Sequence, residues 1–490
     1  MCGIAGFLDF TNKSTIDTLQ QMTLALLHRG PDDHGVEMIE SPYAAVGFGH
    51  TRLSILDLSP LGHQPMSVDE WTITFNGEVY NFNEIRPELE ADGIKFKSHS
   101  DTEVILRSFQ KWGVECVKKF HGMFSFVILN KNTQQVWVVR DRVGVKPLYY
   151  YYKDGLFLFA SELKSFHQHP AFTKEIDVAS LGLFLQYSYI PGPHCIFKHA
   201  KKLEPGHHLE ISLRERQITN VPYWNGLENY TQPALNIDKG EVVDEMERVL
   251  TKAFNYRMVA DVPVGLFLSG GYDSSAVAAL LQKDRTEKLK TFTIGFGVNG
   301  FDEAPDAKKI ANHIGSDHTE YYCTPDDALG IIPMLPEIYD EPFADNSTVP
   351  TVLVSRLARK SVTVALSGDG GDEIFGGYNK FNQATRMATG SPLAKRLISK
   401  IMGNVNPDFI PYFRNQYNFS TRYEKMRQIF QSTEPAQILD VISQYIPASE
   451  VHSLIKTSFG DLKTQFNLSG EFRDDLHKML AIDLKTFLVD

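Results

Sequence analysis

Cys2 directly follows the initiator methionine, so loss of Met1 would leave one residue carrying both a thiol and a free α-amine. An α-amine titrates near pH ~7.7–8 and a thiol near ~8.5, so the amine can take the thiol proton and leave a nucleophile. A pocket suited to a free amino acid is spread over three clusters further along. His50-Thr51-Arg52-Leu53-Ser54-Ile55 offers a guanidinium for bidentate capture of a carboxylate. Asn76-Gly77-Glu78 offers a side-chain amide and a backbone N–H for an oxyanion, and Glu78 with Asp101 suits an ammonium group. Each residue also has a purely structural account. Cys2 can be a small residue opening a strand, Asn-Gly a hairpin turn, Asp101 a helix cap and Arg52 a surface charge.

A second set of chemical residues lies past position 260. Ser269-Gly270-Gly271-Tyr272-Asp273-Ser274-Ser275 stands between an apolar strand pattern and a helix beginning Ala276-Val277-Ala278. Two glycines let backbone approach an anion, the helix start presents N–H groups, and the serines add hydroxyl donors. Asp273 could ligate a magnesium ion bridging phosphate oxygens. The loop lacks the GxxxxGK[ST] pattern of a Walker loop, and an ordinary strand–helix turn is the structural alternative. Ser367-Gly368-Asp369-Gly370-Gly371-Asp372-Glu373 follows another apolar strand and does not satisfy GxGxxG.

The elements around these residues divide the chain. Periodicity predicts a helix over 16–27 and short strands over 44–48, 71–75, 123–129, 135–140 and 148–152, a pattern of stacked sheets. Pro205-Gly206 closes that unit, and 211–240 reads as a connecting segment. A helix with Val242, Val243, Met246, Val249, Leu250 and Ala253 on one face follows. Strands over 262–268, 289–296 and 362–366 then alternate with helices, which is the signature of a parallel sheet. In such sheets the loops after the strands converge on one crevice.

Composition narrows the function classes. A formal charge of −11 opposes nucleic-acid or anionic-membrane partners. No apolar run approaches the roughly 18 residues of a membrane span, and the N-terminus lacks the pattern of a secretory signal. Cys2, Cys116, Cys195 and Cys323 show no metal-ligand spacing, so a reducing cytoplasm is the expected compartment.

Over roughly residues 1–210 the motifs MCGIAGF, HRGPDD, HTRLSI, NGEVYN, SDTEV, DRVGVKPLYY and ASELKS resemble class II glutamine amidotransferases. That resemblance implies an N-terminal-nucleophile (Ntn) hydrolase fold of stacked antiparallel sheets with helices. It implies Cys2 as nucleophile with its own amine as base, Asn76 and Gly77 as oxyanion hole, and a γ-glutamyl thioester. Arg52 would hold the glutamine α-carboxylate in the stretch Arg52-Leu53-Ser54-Ile55, and Glu78 and Asp101 its ammonium. From 241 to 490 the chain resembles the PP-loop ATP pyrophosphatase domain of asparagine synthetases. SGGYDSS looks like the pyrophosphate loop, Leu366–Tyr378 like the second active-site loop and 339–350 like the substrate segment. The resemblance implies ATP held at Phe267, Leu268, Ile294, Ser367 and Gly368 besides the pyrophosphate loop. Magnesium would sit at Asp273 and Asp372. Aspartate would be activated as an acyl-adenylate and attacked by ammonia, giving asparagine, AMP and pyrophosphate. A homodimer is an open option.

Two positions depart from one branch of that family. Asp369 stands where that branch has a Glu proposed as a base, and Pro350 where it has an Arg. Another bacterial branch carries both variants, and amidation of a different carboxylate, a sugar acid or peptide, is the alternative reading. A catalytically weak glutamine- or ATP-binding chain is a third. In the family further helices and a lysine follow the phrase that ends this chain, so a fragment of a longer protein is expected.

Overall fold

Strand Gly3–Asp9 (β1) is buried along its whole length, because both of its faces are covered. Ile4 and Leu8 enter one apolar cluster while Ala5 and Phe7 enter another on the opposite side. This explains a continuous apolar run where a half-exposed strand would alternate. The computed structural model describes residues 1–297, 302–409, 418–455, 466 and 468–489.

The other strands of the N-terminal unit are β2 (Asp33–Ile39), β3 (Ala45–Arg52), β4 (Met66–Val68), β5 (Trp71–Val79), β6 (Gly122–Asn130), β7 (Gln135–Arg140), β8 (Tyr149–Lys153), β9 (Leu156–Ala160), β10 (Ala200–Lys202), β11 (His207–Ser212) and β12 (Gln217–Pro222). They form two antiparallel sheets, in the orders β10-β8-β9-β1-β3-β2 and β12-β11-β7-β6-β5-β4. Between the sheets pack Phe48, Val127, Leu129, Val136, Val138, Phe157 and Phe159, with Phe48 and Phe159 edge to face at 5.6 Å. Helix Ile16–Leu24 covers the first sheet through Leu19 and Met22. It is shorter than the predicted 16–27 because residues 25–29 turn away. Helices Phe82–Ala91 and Asp101–Trp112 cover the second sheet through Ile85, Val104, Ile105 and Phe109.

The predicted linker over 211–240 needs correction. Its first part completes β11 and supplies β12, which pairs with β11 from His207↔Pro222 to Ser212↔Gln217. β12 is an edge strand with no fully buried residue, so it carries no apolar alternation to read. Helix Lys239–Arg257 forms as predicted, capped by the Asp238 carboxylate. Its expected buried face is not sealed: Val243 and Val249 stay exposed, since the helix lies outside and packs on helix Tyr272–Lys283.

The C-terminal unit contains β13 (Val264–Phe267), β14 (Lys290–Gly295), β15 (Asp317–Tyr322) and β16 (Val364–Leu366), all parallel in the order β15-β14-β13-β16. Chain order reverses direction between β13 and β16. That is the topological switch point where the loops after two neighbouring strands open a crevice. β15 was not predicted, because Asp317–Tyr322 is largely polar and exposed.

Candidate functional site

Two sites emerge, one in each unit. In the first, β1 and β3 lie side by side, so Cys2 sits beside the chain leaving β3. The Leu53 N–H lies 3.4 Å from Cys2 Sγ, and the sulfur is 3.6 Å from the Leu53 carbonyl. Burial pushes the thiol pKa up, while the Leu53 amide pulls it down. Arg29, from the HRGPDD turn, donates its Nε–H to the Cys2 carbonyl at 2.9 Å.

The pocket at Cys2 is lined by Arg52, Leu53, Ile55, Leu56, Gly62, Gln64, Phe75, Gly77, Glu78, Ser100, Asp101 and Thr102. Arg52 closes β3 and is buried, its guanidinium held by the carbonyls of Ser59 (3.0 Å), Leu56 and Asp57. Gly62 packs directly on it: a Cβ there would stand 1.9 Å from Arg52 Nη2. Asp101 opens helix Asp101–Trp112 behind the Ser100 cap and accepts the Val79 N–H at 2.9 Å. Burial pushes its pKa up to about 7. Burial, and then the Asp101 carboxyl, pushes Glu78 up as well, and Glu78 Oε2 has no hydrogen-bond partner. Burial thus favours the neutral form of both acids, and a cation brought between them would favour the ionised form.

Asn76 and Gly77 lie on β5 opposite Ser125 and Phe124. The Asn76 amide reaches Ser125 Oγ only at 3.5 Å, and its Oδ1 is unpartnered. Gly77 has φ +150, and a Cβ would meet the Met123 carbonyl at 2.1 Å, so only glycine fits between these strands. Ser54 is tied by its backbone N–H to Asp32 at 2.8 Å. His50 is a core residue: its Nε2 meets the Phe75 carbonyl at 3.0 Å, and burial lowers its pKa to about 3.

Sequence reasoning passed over Lys146 and Asp141. Asp141 is fully buried and accepts the backbone N–H groups of Phe124, Val143, Val145 and Lys146. This turns the loop so that Lys146 points inward, 2 % exposed, with Nζ 2.9 Å from Met1 Sδ. Burial and nearby Arg29 bring Lys146 down to about 8. Burial lowers the Met1 ammonium to about 5, so the charged terminus is poorly accommodated here. The signal was present in DRVGVKPLYY, but an isolated lysine there gives no hint that it is buried.

At the second site, Ser269, Gly270 and Gly271 join β13 to helix Tyr272–Lys283, and Phe267 ends β13. Gly270 takes φ +87 and Gly271 starts the helix without a side-chain cap. The serines order the loop: Ser269 and Ser274 hydroxyls meet at 3.0 Å, and the Ser275 hydroxyl donates to the Gly271 carbonyl at 2.6 Å. The helix start is left uncapped, and its free N–H groups, rather than those hydroxyls, are the groups open to an anion. Ile294 lies on β14, whose Phe292 carbonyl accepts the Leu268 N–H at 2.9 Å.

The loop after β16 lies on that helix start. A Cβ on Gly368 would stand 2.8 Å from the Ser274 nitrogen, and one on Gly371 2.4 Å from Asp273 Oδ2. Burial, and then Asp372 and Glu373, raise Asp273. Asp369 is exposed, its carboxylate accepting from the Ser367 hydroxyl at 2.8 Å. Glu373, unassigned in the sequence, is buried and accepts from the Tyr378 hydroxyl at 2.8 Å. Among the described residues no group of three or more His, Cys, Asp or Glu could hold a metal ion by itself. Two mutually repelling carboxylates fit magnesium that also takes ligands from substrate phosphate and water. Pro350 sits in the first turn of helix Thr348–Ala358.

A cavity of about 240 Å³ lies between the two units, lined among others by Val145, Pro147, Tyr189, Ile190, Tyr339 and Phe343. No described helix is long and apolar enough to cross a membrane.

Residues 1–224 match the glutamine amidotransferase domain family, and residues 245–490 match the asparagine synthase family. Asparagine synthetase [glutamine-hydrolyzing] 1 of Bacillus subtilis is 35% identical over 503 aligned positions, covering 100% of this chain and 76% of that protein. A Methanocaldococcus jannaschii protein, provisionally named asparagine synthetase [glutamine-hydrolyzing] 2, is 40% identical over 79% of this chain and 77% of its own length. Amidase chry2 of Gibberella zeae is 31% identical over 78% of this chain and 60% of that protein.

Proposed function

The chain belongs to the glutamine-hydrolysing asparagine synthetase family, an ATP-dependent group of amidotransferases, and on that premise we propose that it makes asparagine from aspartate, glutamine and ATP. The observation that carries the glutamine half is the buried Glu78–Asp101 pair in one pocket with Cys2 and Arg52. Free glutamine offers the matching groups: an ammonium for the acids, a carboxylate for Arg52 and an amide for the thiol.

With Met1 removed, the Cys2 amine takes the Sγ proton as sulfur attacks the amide carbon. Asn76 Nδ2 and the Gly77 N–H receive the oxyanion. The C–N bond then breaks, the amine returns its proton to the leaving ammonia, and water hydrolyses the thioester to glutamate. In the second unit the loop Ser269–Ser275 and the start of helix Tyr272–Lys283 hold the ATP phosphates, with Phe267, Leu268, Ile294 and Gly368 around adenine and ribose. Magnesium held by Asp273 and Asp372 would neutralise charge developing on pyrophosphate. The aspartate side-chain carboxylate attacks the α-phosphorus and expels pyrophosphate. Ammonia released at Cys2 attacks the acyl carbon and expels AMP. Asp369, exposed in the loop after β16, would take a proton from the attacking nitrogen.

A second reading, the same chemistry on another carboxylate, draws support from Pro350 and Asp369 and from the similarity to an amidase. Incubation with glutamine, ATP and a panel of carboxylates decides between them by AMP and pyrophosphate release. Release with aspartate supports asparagine synthesis; silence with aspartate and release with another acid supports the second reading. ADP as product would overturn both.

A further inference from the structure

The motif ASELKS has no role in the chemistry above, yet the structure spends each of its polar residues. Ser161 pairs with Ile4 of β1 in both directions, at 2.9 and 3.1 Å, and the Ser165 hydroxyl donates to the Met22 carbonyl at 2.9 Å. These bonds fix the short turn after β9 against the Cys2 strand. Glu162 and Lys164 then face the junction of the two units.

Glu162 accepts from Arg29 Nη1 at 2.6 Å, and Arg29 holds the Cys2 carbonyl. The other Glu162 oxygen accepts from Lys164 Nζ at 2.6 Å. Lys164 crosses to the second unit: Nζ is 3.3 Å from Asp340 Oδ1 and donates to the Glu337 carbonyl at 2.9 Å, while its backbone N–H donates to Asp340 Oδ2 at 3.1 Å. Next to Asp340, Glu341 pairs with Lys202 at 2.8 Å and accepts the Ile196 N–H. The acids of the Tyr-Asp-Glu-Pro-Phe segment, expected at the substrate, are thus spent on docking against the glutaminase unit.

We propose that Lys164 is a positioning residue that ties the segment at Asp340–Glu341 to the Cys2 centre through Glu162 and Arg29. The relay is largely buried, with side-chain exposures of 9, 15, 22 and 7% for Arg29, Glu162, Lys164 and Asp340. Charge pairs shielded in this way are geometrically demanding, and removal of Lys164 would leave buried Asp340 without that cation, while Glu162 keeps Arg29 and His28, the latter at 3.0 Å. A shift of the acceptor segment on filling the synthetase site therefore has a direct mechanical path to the residue bearing the nucleophile. This rests on the glutaminase reading of Cys2.

The test is glutaminase rate, with and without ATP plus acceptor, and glutamate formed per AMP, in the wild type, Lys164→Met and Lys164→Arg. Synthesis from added ammonia and the thermal midpoint report folding. The wild type is expected to hydrolyse glutamine faster when ATP and acceptor are present. Lys164→Met should lose about fivefold or more of that stimulation, the lower range of coupling between sites, so that glutamate forms whether or not AMP does, with ammonia-dependent synthesis kept. Lys164→Arg should restore most of the coupling. Should Lys164→Met not fold, Asp340→Ala removes both contacts of Asp340 with Lys164, leaves only the Glu337 carbonyl across the junction and keeps Lys164 paired with Glu162. Unchanged stimulation and stoichiometry in a folded variant would overturn the relay, as would a wild type without stimulation. Absence of any wild-type glutaminase activity would instead overturn the reading it rests on.

Discussion

The Leu53 backbone N–H stands 3.4 Å from Cys2 Sγ, although the two residues are separated by 51 positions. The contact exists because β1 and β3 pair in register, Gly3 opposite Thr51, and so bring their ends together. Burial holds the Cys2 thiol in its protonated form and the Leu53 amide only partly offsets that. In the proposed glutaminase the thiol needs a base, and loss of Met1 would give Cys2 a free α-amine for that role.

Cys2→Ala is expected to reduce glutamine-dependent synthesis by more than about 10³-fold, the scale of losing a nucleophile. Synthesis from added ammonia should persist, as measured by AMP release. Retention of Met1, read by mass spectrometry of the intact protein, should give the same split in otherwise unaltered chains.

Asp101 sets a pH dependence. Its pKa is pushed up to about 7 by burial, so the folded state binds this proton more tightly than the unfolded chain, where the value is ~3.9. Stability of the ligand-free protein from this group is therefore greatest in acid and falls as pH rises between those two values. The ammonium of glutamine favours the ionised acid, so binding below pH 7 must expel a proton, and glutamine KM should rise as pH falls. Calorimetry in two buffers of different ionisation enthalpy near pH 6 counts the protons the Glu78–Asp101 pair releases, and Asp101→Asn should lower that count.

Asp273→Asn and Asp372→Asn should each lower pyrophosphate release by at least about 10–100-fold, the loss usual when groups supporting a metal are altered. Glutaminase activity without ATP should be unchanged. The double variant should lose less than the product of the two, since the two carboxylates act on one another.

Gly371→Ala tests the contact between the two loops. Its Cβ would fall 2.4 Å from Asp273 Oδ2, so the Asp273 carboxylate must swing away from the loop after β16. Because a side-chain end can give way, a stability cost of no more than about 1 kcal/mol is expected, with pyrophosphate release impaired more than glutaminase. Thermal unfolding and the two assays separate these effects.

The sequence by itself determined which residues could do chemistry and the order of the elements carrying them. The motifs around Cys2, Arg52, Asn76-Gly77-Glu78 and Asp101, and the two glycine loops, are local patterns. So is the switch from short strands to alternating strands and helices. β12 and β15 escaped because an edge strand satisfies its backbone without apolar side chains, leaving no period to read.

Tertiary structure alone decided what depends on distant partners. His50 became a neutral core residue because Phe75 and the sheets enclose it. Lys146 turned inward because Asp141 binds three backbone amides of its own loop and that of Phe124 on β6. Asp340 became an anchor for Lys164, 176 residues away in sequence. Burial and charge pairing arise from packing between segments, and no spacing along one segment encodes them.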